Sequence, residues 1–552
     1  MSSFNQSIQN LIIKSMRNKK LTLLFVGLIL STVASAQGAN PTLTKKQKLT
    51  ENQLKRWSHL DLEKDSIPGM SIDRVYAELL KGKKGAKVIV GVVDSGVDID
   101  HEDLKSVIWV NKKEIPGNGI DDDKNGYIDD IHGWNFLGNI ENENLELTRL
   151  LKKGDDGSQA YKEAKAAYDK KMEALLANKQ QIDNIYNANK ALSEYLKKED
   201  FNIDEVKAIT TEDTELKKNI EVFTKIGKAG PVLMANVNKF KTQVYNQLNY
   251  NYNLEFDARK LVGDNPEDIN DKFYGNNIVY GPTKEGALHG THVAGIIAQS
   301  RNNNIGGDGI ADNVEIMSVR AVPNGDEYDK DVALAIKYAV DNGAKVINAS
   351  FGKDFSPHKQ WVYDAIKYAE SKDVLIVHAA GNDSKDIDVE PNFPNDSDDK
   401  KTEFADNVIT VGALNFENGK KIVANFSNYG KLNVDVYAPG VKIYATTPNG
   451  EYQYLQGTSM ASPNVAGVAA MIRSYYPNLS AKEIKGIIMN SGTTVSNDVV
   501  VGGNPKDVRP FNSLSKSGKI VNGFTAMTLA EKMSTEKMKA KKFHKKNKTL
   551  KN

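Results

Sequence analysis

Short, unbroken apolar runs recur along this chain, and each ends in small or polar residues. Val88 to Val93 reads Val-Ile-Val-Gly-Val-Val and stops at Asp94-Ser95-Gly96. Similar runs lie at Val314 to Val319, Lys345 to Ile347, Val374 to Ala380 and Val408 to Ala413. Runs of this length, bounded by turn residues, are how strands buried on both faces look. Between them the period becomes helical, over Asp329 to Asn342, Gln360 to Ser371 and Pro463 to Tyr476. This alternation predicts an α/β fold built on a doubly wound, mostly parallel sheet. Ligands of such sheets bind beyond the carboxyl ends of the strands. Asp94 and Asn382 both fall just past a predicted strand.

Residues 141–255 break the alternation. Tyr161, Tyr168, Leu175, Ile182 and Leu196 share one heptad position, interrupted by Asn189, with Ala164, Met172, Ile185 and Leu192 beside them. Apolar stripes then recur at Leu216, Ile220 and Phe223, and at Leu233, Val237, Phe240, Val244 and Leu248. The pattern predicts a long α-helical hairpin inserted into the α/β domain. A surface elaboration or a self-association arm is expected, with a lid over the cleft as the alternative.

The charge is unevenly distributed. Of the formal +2, four positive charges lie in residues 1–36 and a net eight in residues 532–552, so residues 37–531 carry −10. That acidic body argues against a nucleic-acid-binding surface and leaves room for cation sites. Lys14, Arg17, Lys19 and Lys20 precede the apolar run Leu21 to Leu30 and the small residues Ala34-Ser35-Ala36. This is the layout of an export signal, with an apolar run too short for a stable membrane span. A periplasmic or extracellular location is expected. The chain has no cysteine, which excludes disulfides, thiolate metal sites and a cysteine nucleophile. The expected organisation is a signal at 1–36, an N-terminal arm at 37–86, a first part of the α/β domain at 87–140, the helical insertion at 141–255, a second part of the α/β domain at 256–531 and a basic disordered tail at 532–552.

The chemistry centres on Gly457-Thr458-Ser459-Met460-Ala461-Ser462-Pro463. A serine between a glycine turn and a helix start is either an N-cap or a nucleophile, because free N–H groups and the helix dipole there favour developing negative charge. Three other segments favour the nucleophile. Asp94 offers a carboxylate at a strand end, His289-Gly290-Thr291-His292-Val293-Ala294-Gly295 an imidazole, and Ala379-Ala380-Gly381-Asn382 a side-chain amide. A base, a carboxylate to orient it and an oxyanion donor complete an acyl-transfer set.

In the order Asp, His, Asn, Ser these segments resemble the subtilisin family of serine peptidases. The resemblance implies a subtilisin-like fold and a secreted serine endopeptidase acting on proteins or peptides through an acyl-enzyme, with no organic cofactor. It implies Asp94 as orienting carboxylate, His289 as general base, Ser459 as nucleophile and Asn382 as oxyanion donor, and gives His292 a structural role. It also implies Ser350, Phe351 and Gly352 as a substrate edge that pairs with a peptide as an added strand. Ala379, Ala380 and Gly381 would form the wall of a first specificity pocket suited to a large apolar or broad P1 side chain. A catalytically silent peptide-binding module on the same fold is the alternative.

Two loops carry oxygen ligands. Asp121, Asp123, Asn125 and Asp129 alternate around Gly126 like the first half of an EF-hand loop, although His132 stands where that loop ends in Glu. The family resemblance adds a second calcium loop, with Asp103 and Asn303 as side-chain ligands and the carbonyls of Ile305 and Gly307. Structural Ca2+ is expected at one or both. The 195 residues between Asp94 and His289 exceed the family's usual spacing of a few tens, and the insertion accounts for most of the excess.

Overall fold

A computed structural model describes residues 49–227 and 234–549; the expected export signal, the start of the arm and Leu233 lie outside the described residues. Nine strands form one sheet. Its parallel core comprises β1 (Val88–Asp94), β2 (Gly133–Asn135), β3 (Val314–Arg320), β4 (Val346–Ala349), β5 (Leu375–Ala379), β6 (Val408–Leu414) and β7 (Val436–Pro439). These run in the order β7-β6-β5-β4-β1-β3-β2. The pair β8 (Ile443–Thr447) and β9 (Glu451–Leu455) makes a separate antiparallel hairpin. The short strands β10 (Thr493–Thr494) and β13 (Lys519–Ile520) extend the sheet beyond β7, and β11 (Asp498–Val501) and β12 (Asn504–Pro510) form a second antiparallel pair.

Both faces of the sheet are covered, which is why its strands read as continuous apolar runs. Alternate residues go to opposite sides. Val90, Val92, Ile316, Val346, Leu375 and Val377 join one core, while Val93, Met317, Val319, Ile347 and Ile376 join the other. The N-terminal arm buries Trp57, Met70, Ile72 and Val75 in the first core. β1 sits between β3 and β4, so the chain crosses from one side of β1 to the other. A crevice opens at the carboxyl ends of strands at such a switch point.

Ten helices matter to the argument. They are α1 (Glu146–Lys152), α2 (Gln159–Leu196), α3 (Thr214–Gly227), α4 (Met234–Asn246), α5 (Leu288–Ala298), α6 (Asp329–Asp341), α7 (Lys359–Ser371), α8 (Thr458–Tyr475), α9 (Ala481–Ser491) and α10 (Gly523–Thr549). The insertion is a hairpin whose returning arm is split. Leu175 and Ile182 of α2 pack against Val237 and Val244 of α4. Further along, Leu192 packs against Leu216 and Phe223 of α3. Asn189, the polar break in the heptad, is buried between these clusters with both side-chain polar atoms unpartnered.

Two expectations need correction. The basic segment after Met533 is not disordered, because α10 runs through it to Thr549. Ala526, Met527 and Ala530 are fully buried, and Ser534 donates to Asn478 at 2.7 Å. An anchored apolar stripe therefore propagates helix into a Lys-rich stretch. Helix α8 starts at Thr458, five residues before Pro463. No described helix is long and apolar enough to cross a membrane.

Candidate active site

Strand ends and helix starts meet around one cleft of about 1020 Å³. β1 delivers Asp94, which is 1% exposed. Its Oδ1 accepts from the Ser95 amide at 2.7 Å and from His289 Nδ1 at 2.7 Å. A carboxylate accepts only, so His289 carries its proton on Nδ1 and leaves Nε2 as an acceptor. Burial disfavours the imidazolium, but the charge and hydrogen bond of Asp94 outweigh it, holding His289 above the ordinary histidine value of 6.5.

Ser459 lies in the first turn of α8, and its amide has no protein partner among the described residues. Pro463 has no N–H to give the Ser459 carbonyl four residues back. The Ser350 hydroxyl supplies that bond instead, at 2.9 Å, so the helix tolerates an internal proline. Ser350 Oγ is itself fixed by Asn348 Nδ2 at 2.9 Å. Ser459 Oγ donates to the Ser350 carbonyl at 3.1 Å.

Asn382 follows β5 and is exposed to the cleft. Its Oδ1 accepts from the Thr458 amide at 2.8 Å and from the Thr458 hydroxyl at 3.1 Å. With the oxygen held there, Nδ2 is left to face elsewhere. A Cβ on Gly457 would lie 3.5 Å from the Ser459 nitrogen and 3.6 Å from Asn382 Nδ2. Both donors therefore border one space, which glycine keeps open at φ +152°. Two preorganised N–H donors beside a helix N-terminus can stabilise an oxyanion.

His292, three residues beyond His289, is fully buried. Its Nε2 is 3.1 Å from the carbonyls of both Ile443 and Gln453, so it fastens the β8–β9 hairpin to α5. Burial pushes it down to about 4.

Of the proposed substrate residues, Ser350, Phe351, Gly352, Ala379 and Gly381 line the cleft. Ala380 does not. Strand alternation turns it the other way, and it is fully buried in the first core. His378 Nε2 donates to the Phe351 carbonyl at 2.8 Å, which supports the edge from below. A facing edge, Pro323-Asn324-Gly325, has no signal in the sequence. Among the described residues the Gly352 amide and carbonyl, the Pro323 carbonyl and the Gly325 amide have no protein partner. Two edges with unmade backbone bonds frame a slot for an extended peptide. Arg320, beside Asp94 in the sheet, braces the loop by donating to the Ser95 carbonyl at 3.0 Å.

The first acidic loop brings Glu114 to two of the expected residues, Asp121 and Asp123. Oxygens of Glu114, Asp121 and Asp123 all lie within 4.8 Å of one another. Asn125 turns its oxygen to the Tyr127 amide at 2.8 Å and its NH2 group to Asp130 at 3.0 Å. Asp129 accepts from the amides of Gly117 and Gly119 at 2.8 and 2.9 Å. Glu114 and Asp121 accept loop amides too, from Asp123 at 3.0 Å and from Gly126 at 2.8 Å. In the second loop, Asn303 Nδ2 donates to Asp103 Oδ1 at 2.6 Å. Asp103 Oδ2 is buried without a partner, and burial raises this carboxyl above its ordinary value.

The subtilase-family model matches residues 85–507, most of the chain, and the chain belongs to that family. A thermophilic serine proteinase from Bacillus sp. (strain AK1) is 45% identical over 187 residues, 34% of this chain and 42% of that protein. Thermitase from Thermoactinomyces vulgaris is 38% identical over 214 residues, 39% of this chain and 70% of thermitase. A solved protease structure from Pseudoalteromonas arctica is 30% identical, with a TM-score of 0.36, covering 44% of this chain and 70% of that one. The chain thus spans less than half the length of the first relative.

Proposed function

We propose that this chain is an exported serine endopeptidase that cleaves extended segments of proteins or peptides. The observation that carries the reading is the convergence, in one cleft, of the Asp94–His289 pair, Ser459 at a helix start and Asn382 with its amide aimed beside Gly457. A turn about the Cα–Cβ bond of Ser459 releases Oγ from the Ser350 carbonyl and offers it to His289 Nε2; such bonds often tighten only with substrate present. His289 takes the hydroxyl proton as Ser459 Oγ attacks the scissile carbonyl. Asp94 stabilises the imidazolium. The Ser459 amide and Asn382 Nδ2 hold the oxyanion. The imidazolium then protonates the leaving amine, and water reverses the sequence to release the acyl group. Gly352, Ala379 and Gly381 leave room for a large apolar or varied P1 side chain. The expected signal at residues 1–36 supports export.

Calcium is the metal these loops suit, because both offer hard oxygen ligands. Glu114, Asp121 and Asp123 would hold one ion. Asp103 would hold another with Asn303 turned to present its oxygen, which would satisfy the orphaned Asp103 Oδ2. In both loops the ion's role is structural.

An active-site fluorophosphonate is the direct test. Wild type should be labelled at Ser459, while Ser459→Ala and His289→Ala should not be labelled although they remain folded. Absence of label on folded wild type would favour the silent peptide-binding alternative.

A further inference from the structure

The insertion reaches the cleft. Helix α4 packs Val237 and Val244 against α2, and its opposite face presents Lys239, Thr242 and Asn246 to the cleft. The spacing i, i+3, i+7 places these three on one helical face.

This wall is fixed in place from below. Asn251, just past α4, donates to the carbonyls of Glu143 and Asn324 at 2.9 and 3.0 Å. Arg149 of α1 donates to the carbonyls of Asp326 and Glu327 at 2.8 and 3.1 Å. Lys353, next to the substrate edge, pairs with Glu146 at 2.8 Å and with Asp329 at 2.9 Å. All of these charged side chains are buried, and removing one partner from such a network is costly. Gly325, at φ +150°, lets the root lie flush, since a Cβ there would sit 2.3 Å from the Glu143 carbonyl oxygen. Both cleft edges, 323–325 and 350–353, are therefore bonded to the base of the insertion.

Of the carboxylates lining the slot, Asp354 and Asp383 share one cation, while Glu141 and Glu285 accept only from neutral donors. Asp354 pairs with Lys385 at 2.6 Å, and Asp383 lies 3.9 Å from the same ammonium. Glu141 accepts from the Thr283 hydroxyl, and Glu285 accepts from Asn449 at 2.8 Å. Lys239 is exposed and forms no ion pair among the described residues.

We infer that α4 is a fixed wall of the substrate channel and that Lys239 selects chains carrying a carboxylate side chain where they pass beneath it. The inference rests on the peptidase reading above. An extended chain held between the two edges lies within reach of the α4 face, and a carboxylate on it meets Lys239, the one lysine lining the cleft without an ion pair among the described residues. A partly exposed ion pair of this kind shifts affinity by about two- to fivefold.

Matched peptides with Glu or Gln at one position, scanned along the residues on either side of the scissile bond, test this. Wild type should favour Glu at one position by about two- to fivefold in kcat/KM, with the effect in KM. Lys239→Gln should abolish that preference and Lys239→Glu should invert it. The same Glu-to-Gln ratio in all three proteins overturns the inference. Dissociation constants for the same peptides, measured on Ser459→Ala with and without the Lys239 changes, separate the two readings. A Kd ratio that follows residue 239 with no turnover in wild type overturns the peptidase reading alone. A Kd ratio indifferent to residue 239, with turnover intact, overturns this one alone.

Discussion

The α/β body and the helical insertion advertise themselves in opposite ways. In the body, every reactive group stands at the end of a buried strand or the start of a buried helix, so its position follows from elements that the core holds rigid. Asp94 closes β1, Asn382 follows β5 and Ser459 opens α8. In the insertion the periodicity is plain, yet it specifies only which face packs inward. What the outward face of α4 does depends on where the whole hairpin is bolted, and that is set by Arg149, Asn251 and Lys353. The candidate catalytic groups are therefore specified by local motifs, whereas the far wall of their cleft is placed by long-range contacts.

The largest expected effect tests whether reactivity belongs to the body alone. Asn382→Ala should lower kcat by roughly 10²–10³, a magnitude taken from the family's own oxyanion donor and not from this geometry. KM should change little, because the amide acts on charge that appears only in the transition state. The change also removes the acceptor of the Thr458 amide and hydroxyl, so a modest fall in melting temperature, about 0.5–2 kcal/mol in stability, should accompany it. A kcat within threefold of wild type on any cleaved peptide, with roughly equal KM, would remove Asn382 from the mechanism.

Much of the site was legible because its chemistry restricts residue type and spacing together. The runs around His289 and Ser459 leave few alternatives, and the strand runs place Asp94 and Asn382 on the correct edge. Other features had no local signature. Glu114 joins Asp121 and Asp123 from seven residues upstream, where no loop rule places it. Asn125 and Asp129 also bond the loop's own groups, as Asp121 and Glu114 do, so spacing alone does not single out the ligands. Pro463 marks a helix start by the usual rule, yet α8 begins earlier because Ser350 replaces the lost bond. Lys239 reads as an ordinary solvated lysine. The Lys-rich end of α10 masks the small buried stripe Ala526, Met527 and Ala530.

Mild acid should act through the histidines of the body, since residues 141–255 contain no histidine; stronger acid also reaches the insertion, where Arg149 and Lys353 hold buried Glu146 down at about 2. His292 sits near 4 in the folded protein against 6.5 when free. The unfolded chain then binds more protons across that interval, so stability falls as pH drops from 6.5 and levels off below 4. Burial raises Glu327 to about 8, which acts in the opposite direction; the comparison is therefore wild type against His292→Gln, whose amide still donates to the hairpin. Relative to that variant, wild type should lose about 3 kcal/mol between the two limits. Chemical denaturation at a series of pH values measures it, and a difference independent of pH would show that His292 takes up its proton in the fold as readily as in the unfolded chain.

The smallest effect separates the two regions by metal. Both candidate calcium loops, Asp103 with Asn303 and Glu114 with Asp121 and Asp123, belong to the body. The insertion holds its helices by apolar clusters, one containing Leu175 and Val244 and the other Leu192 and Phe223. An ion that binds only the folded state adds about 2.7 kcal/mol at a hundredfold excess over its Kd. Chelation should therefore lower the melting temperature of the body, and Asp103→Asn should reduce the response by removing the charge that a cation needs. The Asp103 loop should respond to pH as well. Burial raises Asp103 above the ordinary carboxyl range, so protons compete for it at milder acidity than for an exposed carboxylate. Calcium titrations followed by calorimetry at neutral and mildly acidic pH measure both responses. Equal melting curves with calcium and with EDTA, together with no calcium by elemental analysis, would leave the orphaned Asp103 oxygen as buried strain in the body and not as half of a metal site.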